Sequence, residues 1–280
     1  VQFQADRLQL GGSKDLIDNT MHLMLHEGIV KSLSFSGNME YVRDNKERVE
    51  MDIESLSDNT RRFTLKTDKA GSLFKCLGIL ENVRKGALRI VALHDDSLPT
   101  SSWEGKLTME DFKLLNAPFL SHFVSLAFPT GLADLTQGEG LPFMNLKAKF
   151  KAGPNKIQIP SGRANGFSLG FSFSGNIERG QRGHVNIGGS IIPAYFLNTL
   201  ISKIPIIGEL LSGGKHEGLF GVSFTITGPR NDPQISVNPL SVFTPGLLRK
   251  LFLPFDENGD NVDGDKDVIS DEDKDLQPYQ

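Results

Sequence analysis

Strict two-residue alternation of apolar and polar side chains is the feature that most limits what this chain can become. In "FSLGFSFSG", Phe167, Leu169, Phe171 and Phe173 fall on one side, and Ser168, Gly170, Ser172 and Ser174 on the other. "LFGVSFTITG" does the same with Phe220, Val222, Phe224 and Ile226. "RVEMDIES" does so with Val49, Met51 and Ile53, and "NLKAKFK" with Leu146, Ala148 and Phe150. Successive side chains of a strand point to opposite faces, so the pattern predicts half-buried antiparallel strands with one apolar and one wet face. "LSFSG", "RRFTLKT", "GALRIVA", "NKIQIPS" and "HVNIGGSI" continue the theme, to roughly ten strands. Gly37-Asn38, Gly153-Pro154-Asn155, Gly175-Asn176 and Gly228-Pro229 are the expected turns between them.

Alternation fits two arrangements. A closed sandwich hides the apolar faces against each other, and is the commoner solution. A long, curved, open sheet instead lays them along a trough. Helical spacing appears at residues 70–80, at 117–135 with a break near Pro129, and within 191–214. A last short helix is expected from Pro245 in "TPGLLRKLF".

Residues 191–211 raise the question of a membrane span, since they are long enough to cross a bilayer as one helix. Pro205 interrupts them, and Asn198, Ser202, Lys203 and Glu209 scatter polarity through them. Lys203 alone would cost roughly 2.5–3.5 kcal/mol near the centre of a span. The better expectation is a helix over 194–202, a break at "KIPIIG" and a second short turn. Tyr195, Leu197, Ile201 and Ile204 then lie near one another as an end helix or plug on the apolar sheet face.

Charge is unevenly distributed. Residues 256–280 hold ten acidic and two basic residues, so they carry −8 of a chain total of −4 and leave +4 on the other 255. Few apolar residues occur there, which predicts a disordered acidic tail. No arginine- or lysine-rich stripe with interleaved aromatics appears, which argues against nucleic acid as a partner. Cys76 is the single cysteine. It excludes an internal disulfide and reads as a small buried hydrophobe. The chain starts at Val1 without a signal-peptide pattern and reads as a piece of a longer protein.

Chemical motifs are weak. His22 and His26 flank no H-E-x-x-H, and lack a third ligand whether "MHLMLHEG" is helix or strand. His94 stands beside Asp95, Asp96 and Ser97 in a polar stretch with no nucleophile elbow. Asp263, Asp265 and Asp267 fit the first three ligand positions of an EF-hand. Val268 and Lys274 occupy the places of the required Gly and Glu. A glycan-cleaving enzyme needs two carboxylates across one cleft, whereas the carboxylates here fall on wet strand faces and in the tail. No catalytic residue, metal or cofactor is expected.

Several stretches carry a family resemblance: "PAYFLN" at 193–198, "IPIIGELLSGG" at 204–214, "GPRNDPQISVNPLS" at 228–241 and "PGLLRKLF" at 245–252. "DKAGSLFKCLGILENVRKGALRI", "LTMEDFKLLNAPFLSHFVSLAFPTGL" and "GEGLPFMNLKAKF" fit the same pattern upstream. From about Asp68 to Phe255 the chain resembles the C-terminal region of AsmA-like proteins of the Gram-negative envelope. Residues 1–66 show only compatible strand patterning, and the tail lies outside the pattern.

That resemblance implies a mainly β fold: a long, curved antiparallel sheet forming an apolar groove over residues 1–255, with short amphipathic helices near its end and the acidic tail over 256–280. It implies a parent anchored in the inner membrane by an N-terminal helix and crossing the periplasm. It also implies a monomeric, non-catalytic conduit for phospholipid between inner and outer membranes. The lipid-facing lining would be Phe150, Phe167, Leu169, Phe171, Phe173, Phe220, Val222, Phe224 and Ile226. Leu247, Leu248, Arg249, Leu251 and Phe252 would contact the membrane, with cations beside apolar residues as in an interfacial helix. The same resemblance leaves room for a scaffold or assembly factor that engages outer-membrane or other envelope proteins.

Overall fold

The computed structural model describes the backbone of residues 1–26, 29–42, 45–97, 101–115, 140–167, 169–180, 182–193, 222–230 and 232–238. The chain divides into two units, Val1–Phe243 and Thr244–Gln280, and every described residue belongs to the first.

The alternating segments form strands, as their period requires. In chain order these are β1 Gln2–Leu8, β2 Leu16–His26, β3 Ile29–Val42, β4 Asn45–Ser55, β5 Thr60–Thr67, β6 Val83–Asp95 and β7 Trp103–Leu114. They continue with β8 Leu141–Ala152, β9 Lys156–Gly166, β10 Leu169–Glu178, β11 His184–Pro193, β12 Val222–Pro229 and β13 Gln234–Asn238. All pair antiparallel in one sheet whose spatial order is the order of the sequence, β1 to β13. The sheet does not close, and no second sheet packs on it among the described residues. The sandwich is therefore set aside, and the strands among the described residues number thirteen rather than ten.

Two expected turns are strand interior. Gly37 faces Val49 and Asn38 faces Arg48 within β3, while Gly175 faces Ile187 and Asn176 faces Asn186 within β10. The glycines mark crowding rather than reversal. The Asn19 side chain stands where a Cβ on Gly37 would be, and the Asn186 carbonyl where one on Gly175 would be. The reversal at Gly153-Pro154-Asn155 does fall between strands, whereas Gly228 and Pro229 are the last two residues of β12, facing Val185 and His184; just beyond them the Asp232 N–H donates to the Pro229 carbonyl at 3.0 Å.

One helix occurs among the described residues: α1, Ala70–Leu77, three residues shorter than its helical spacing suggested. The Thr67 hydroxyl accepts from the Lys69 N–H (3.1 Å) as the chain leaves β5. The helix ends at Gly78, where the Gly78 and Ile79 N–H groups return to the Lys75 and Phe74 carbonyls. Gly12 and Ser13 donate to the Cys76 and Lys75 carbonyls, satisfying the helix end from outside. Ala70, Gly71, Leu73 and Cys76 are buried, and α1 packs chiefly on β6, with lesser contact to β3 and β7. Cys76 is fully buried, and burial pushes its thiol pKa up. No helix among the described residues is long and apolar enough to cross a membrane. The helical expectations at 117–135, 194–202 and from Pro245, and the acidic tail, lie outside the described residues.

Candidate functional site

The strand registers place apolar residues side by side across the whole sheet. One row begins at Phe3 and continues through Met21, Phe35, Met51, Leu65 and Ile90, each facing the next on its neighbouring strand. It runs on through Leu107, Ala148, Gly162, Phe173, Gly189 and Phe224 to Val237. No polar or charged side chain interrupts it from β1 to β13. At a strand spacing near 4.8 Å, its contour is about 58 Å.

One residue along each strand, the neighbouring row on the opposite face is polar throughout. Gln4, Thr20, Ser36, Glu50, Lys66 and Arg89 face one another in turn. Thr108, Lys147, Arg163, Ser172, Ser190, Ser223 and Asn238 complete that row. These two rows, back to back in one sheet, are thus chemically opposite from β1 to β13, although Ala87, Val91 and Leu93 of β6 share the polar side.

A second row, apolar except for the buried Thr67, lies beside the first, from Val49 through Thr67, Leu88, Met109, Leu146, Ala164, Phe171 and Ile191 to Val222. Most of its members are buried, in the same cluster as Leu73 and Cys76 of α1. Met21, Phe35, Met51, Leu65, Ile90 and Leu107 of the first row stay only half-buried. The apolar face is therefore covered along one side and open along the other.

A line of irregularities crosses β6, β7 and β8. Lys85 and Gly86 have φ of 58° and 95°, Asp111 has φ of 51°, and Met144 falls out of register between Phe143 and Asn145. Each extra residue flips the alternation. Phe112 and Phe143, out of phase with Met109 and Leu146, are thereby turned to the apolar side. Their rings stack at 5.0 Å, Phe143 meets Phe171 at 5.5 Å, and Phe171 meets Phe224 edge-on at 6.2 Å. This four-ring ladder joins β7, β8, β10 and β12. Phe112 and Phe143 were not among the lining residues expected from alternation, and only the phase switch reveals them.

At the far ends of β5, β6 and β7 the apolar face gives way to a polar rim built on Trp103. Phe63 meets the Trp103 ring edge-on at 6.0 Å, His94 stacks on it at 5.0 Å, and the Arg61 guanidinium lies 5.8 Å from its centre. Arg61 also pairs with Asp96, while His94 approaches Asp96 at 3.4 Å and the Ser101 hydroxyl at 3.3 Å. Ser97 turns away from His94: its hydroxyl and N–H donate to Asp95 at 2.6 and 2.9 Å and hold that carboxyl below the usual aspartate range. The cluster fastens the β6–β7 end.

The expected lining residues divide. Phe150, Phe171, Phe173 and Ile226 are half-buried on the apolar face; Phe150 faces Gly105 beside a bulge, and Ile226 faces Ile187. Leu169, Val222 and Phe224 are packed into the core cluster, the first two at 1% and 2% exposure. Phe167 does not join them: it sits in the bend between β9 and β10, 72% exposed. Phe220, the plug residues Tyr195, Leu197, Ile201 and Ile204, and the membrane-contact residues Leu247, Leu248, Arg249, Leu251 and Phe252 lie outside the described residues.

His22 and His26 lie in β2 and are exposed. Among the described residues no three His, Cys, Asp or Glu side chains come together as metal ligands would. Comparison of the chain with protein-family models, with characterised proteins and with solved structures gives no match.

Proposed function

We propose that this chain is a non-catalytic phospholipid-binding conduit of the cell envelope, whose apolar sheet face curves into a groove that carries acyl chains between inner and outer membranes. The observation that supports it most directly is the row of thirteen non-polar residues, Phe3 to Val237, backed by thirteen polar ones. Burying an acyl chain recovers about 0.8 kcal/mol per CH₂, so a continuous apolar path lowers the barrier to crossing water. Any charged residue in the row would be a step in that barrier. Sliding requires no nucleophile, base or metal. The open side of the face, along Met21 to Leu107, is where the cargo would enter and move.

Photocrosslinking residues placed at Leu65 and Leu107 are expected to capture phospholipid, while the same groups at Thr20 and Ser36, on the polar face, capture none. Native mass spectrometry of the purified chain then shows lipid-sized adducts. Equal capture on both faces would rule the reading out.

A second reading is an assembly scaffold for outer-membrane proteins. It is supported by β1, an edge strand whose seven residues are all exposed and which offers unpaired backbone groups to an added strand. Protein rather than lipid crosslinked at Gln4 and Leu107 alike would favour it.

A further inference from the structure

The polar face is not evenly charged. Within β5 to β9, cations face cations across neighbouring strands: Lys66 opposite Arg89, Lys106 opposite Lys149, and Lys147 opposite Arg163. Like charges directly opposite each other destabilise a sheet, and the arrangement here occurs three times in five adjacent strands. Five of these side chains are exposed and Arg89 is half-buried. None of the six makes an ion pair among the described residues. The nearby carboxylates do not neutralise them. Glu50, opposite Lys66, pairs with Arg48 at 3.1 Å, Glu104 pairs with Lys151 at 2.9 Å, Glu110 faces Asn145, and Asp52 faces Thr64. Four strand spacings separate Lys66 from Arg163, so the cations spread over about 19 Å.

We infer that this basic plate is a docking surface for an anionic lipid bilayer, engaged by the polar face while the apolar face is turned away. Charge complementarity identifies the class of partner. Four of the six cations are lysines, point charges without the fork that fixes a carboxylate or phosphate in one geometry. Thr64, Val91, Thr108 and Ser161 lie between them, and no aromatic ring stands on this face of β5 to β9 to stack on a base. A peptide's carboxylates come at fixed intervals and would match one row at a time. Laterally mobile headgroups can place an anion against every cation at once, and juxtamembrane basic residues bind anionic membranes in this way. The inference goes beyond the conduit reading and does not depend on it, since no residue of the apolar face takes part.

The test is co-sedimentation of the full chain with vesicles of phosphatidylglycerol and phosphatidylcholine in equal parts, against phosphatidylcholine alone. The wild type is expected to bind the anionic vesicles, to release them as sodium chloride rises, and to ignore the neutral ones. The variant Lys106→Gln/Lys147→Gln/Lys149→Gln/Arg163→Gln should lose affinity by at least about tenfold. Removing like-charge pairs should not lower its melting temperature; if it does, Lys106→Gln/Lys149→Gln alone is compared with the charge-conserving Lys106→Arg/Lys149→Arg, which should bind as the wild type does. Leu107→Asp, on the other face, should bind vesicles normally even where it abolishes lipid capture, so failure of one reading is distinguishable from failure of the other. Unchanged affinity in the glutamine variants, equal binding to neutral vesicles, or binding to polyglutamate without binding to vesicles would each overturn the inference.

Discussion

The Phe224 ring lies against Gly189 on the neighbouring strand, with Cε1 2.7 Å from where a Cβ would stand, and the Ser172 carbonyl closes the site from the other side. Phe173 leans over Gly162 in the same way, so the last two aromatics of the first row each rest on the glycine of the strand before. The two sites differ in what would have to yield. At Gly189 backbone is in the way, whereas at Gly162 only a ring is.

Gly189→Ala is therefore expected to destabilise the protein by about 1–3 kcal/mol, the usual cost of overpacking. Gly162→Ala should cost less, because the Phe173 ring can swing aside. Urea melts of the two variants check the order, and equal or reversed losses would contradict the packing described.

Phe143 and Phe167 offer a sharper contrast between two residues of one type. Phe143 is 2% exposed and stacked in the ring ladder, while Phe167 is 72% exposed in a bend. Phe143→Ala should cost about 3–5 kcal/mol, and Phe167→Ala should stay within about 0.5 kcal/mol of the wild type. Thermal or chemical denaturation decides it.

The Asp95 carboxylate is held below the ordinary aspartate pKa by the Ser97 hydroxyl first, and by the Ser97 N–H second. A depressed carboxylate stabilises the fold above its unfolded pKa, and that contribution fades as pH falls toward the folded value. Ser97→Ala should move the Asp95 titration upward, read from the carboxyl carbon by NMR. An unmoved midpoint would show that the hydroxyl does not set it.

Residues 256–280 carry −8 with few apolar side chains, a composition that cannot build a core. Their deletion is expected to leave the melting temperature of the remaining chain unchanged. A clear fall on deletion would show that the tail contributes to packing.

How much of this was legible depended on whether the period held. Met51, Leu65, Leu107 and Phe173 sit on unbroken alternation, and their shared face could be read from the sequence. Phe112 and Phe143 follow a change of phase at Gly86, Asp111 and Met144, where an added residue turns the strand over. The cue in β7 is slight: aspartate is depleted in strands and tolerates the left-handed region, as Asp111 does, but one such residue does not fix a change of phase. Gly37 and Gly175 misled in the opposite direction: glycine is written the same way whether it reverses the chain or admits a crowding neighbour. Phe167 extended a pattern that the strand itself did not. The choice between an open sheet and a sandwich was illegible in principle, because both use the same alternation.

The strictly sequential strand order makes this sheet a ruler. No strand must find a partner beyond its sequence neighbours, so most of the sheet can grow by local pairing, which keeps contact order low for a sheet. Removing or inserting any adjacent pair of strands preserves the direction of all the others. Each such pair changes the span of the sheet by about 10 Å. Span is therefore encoded in strand count, and a chain of this design can be lengthened or shortened by whole hairpins, with no change to the chemistry of either face.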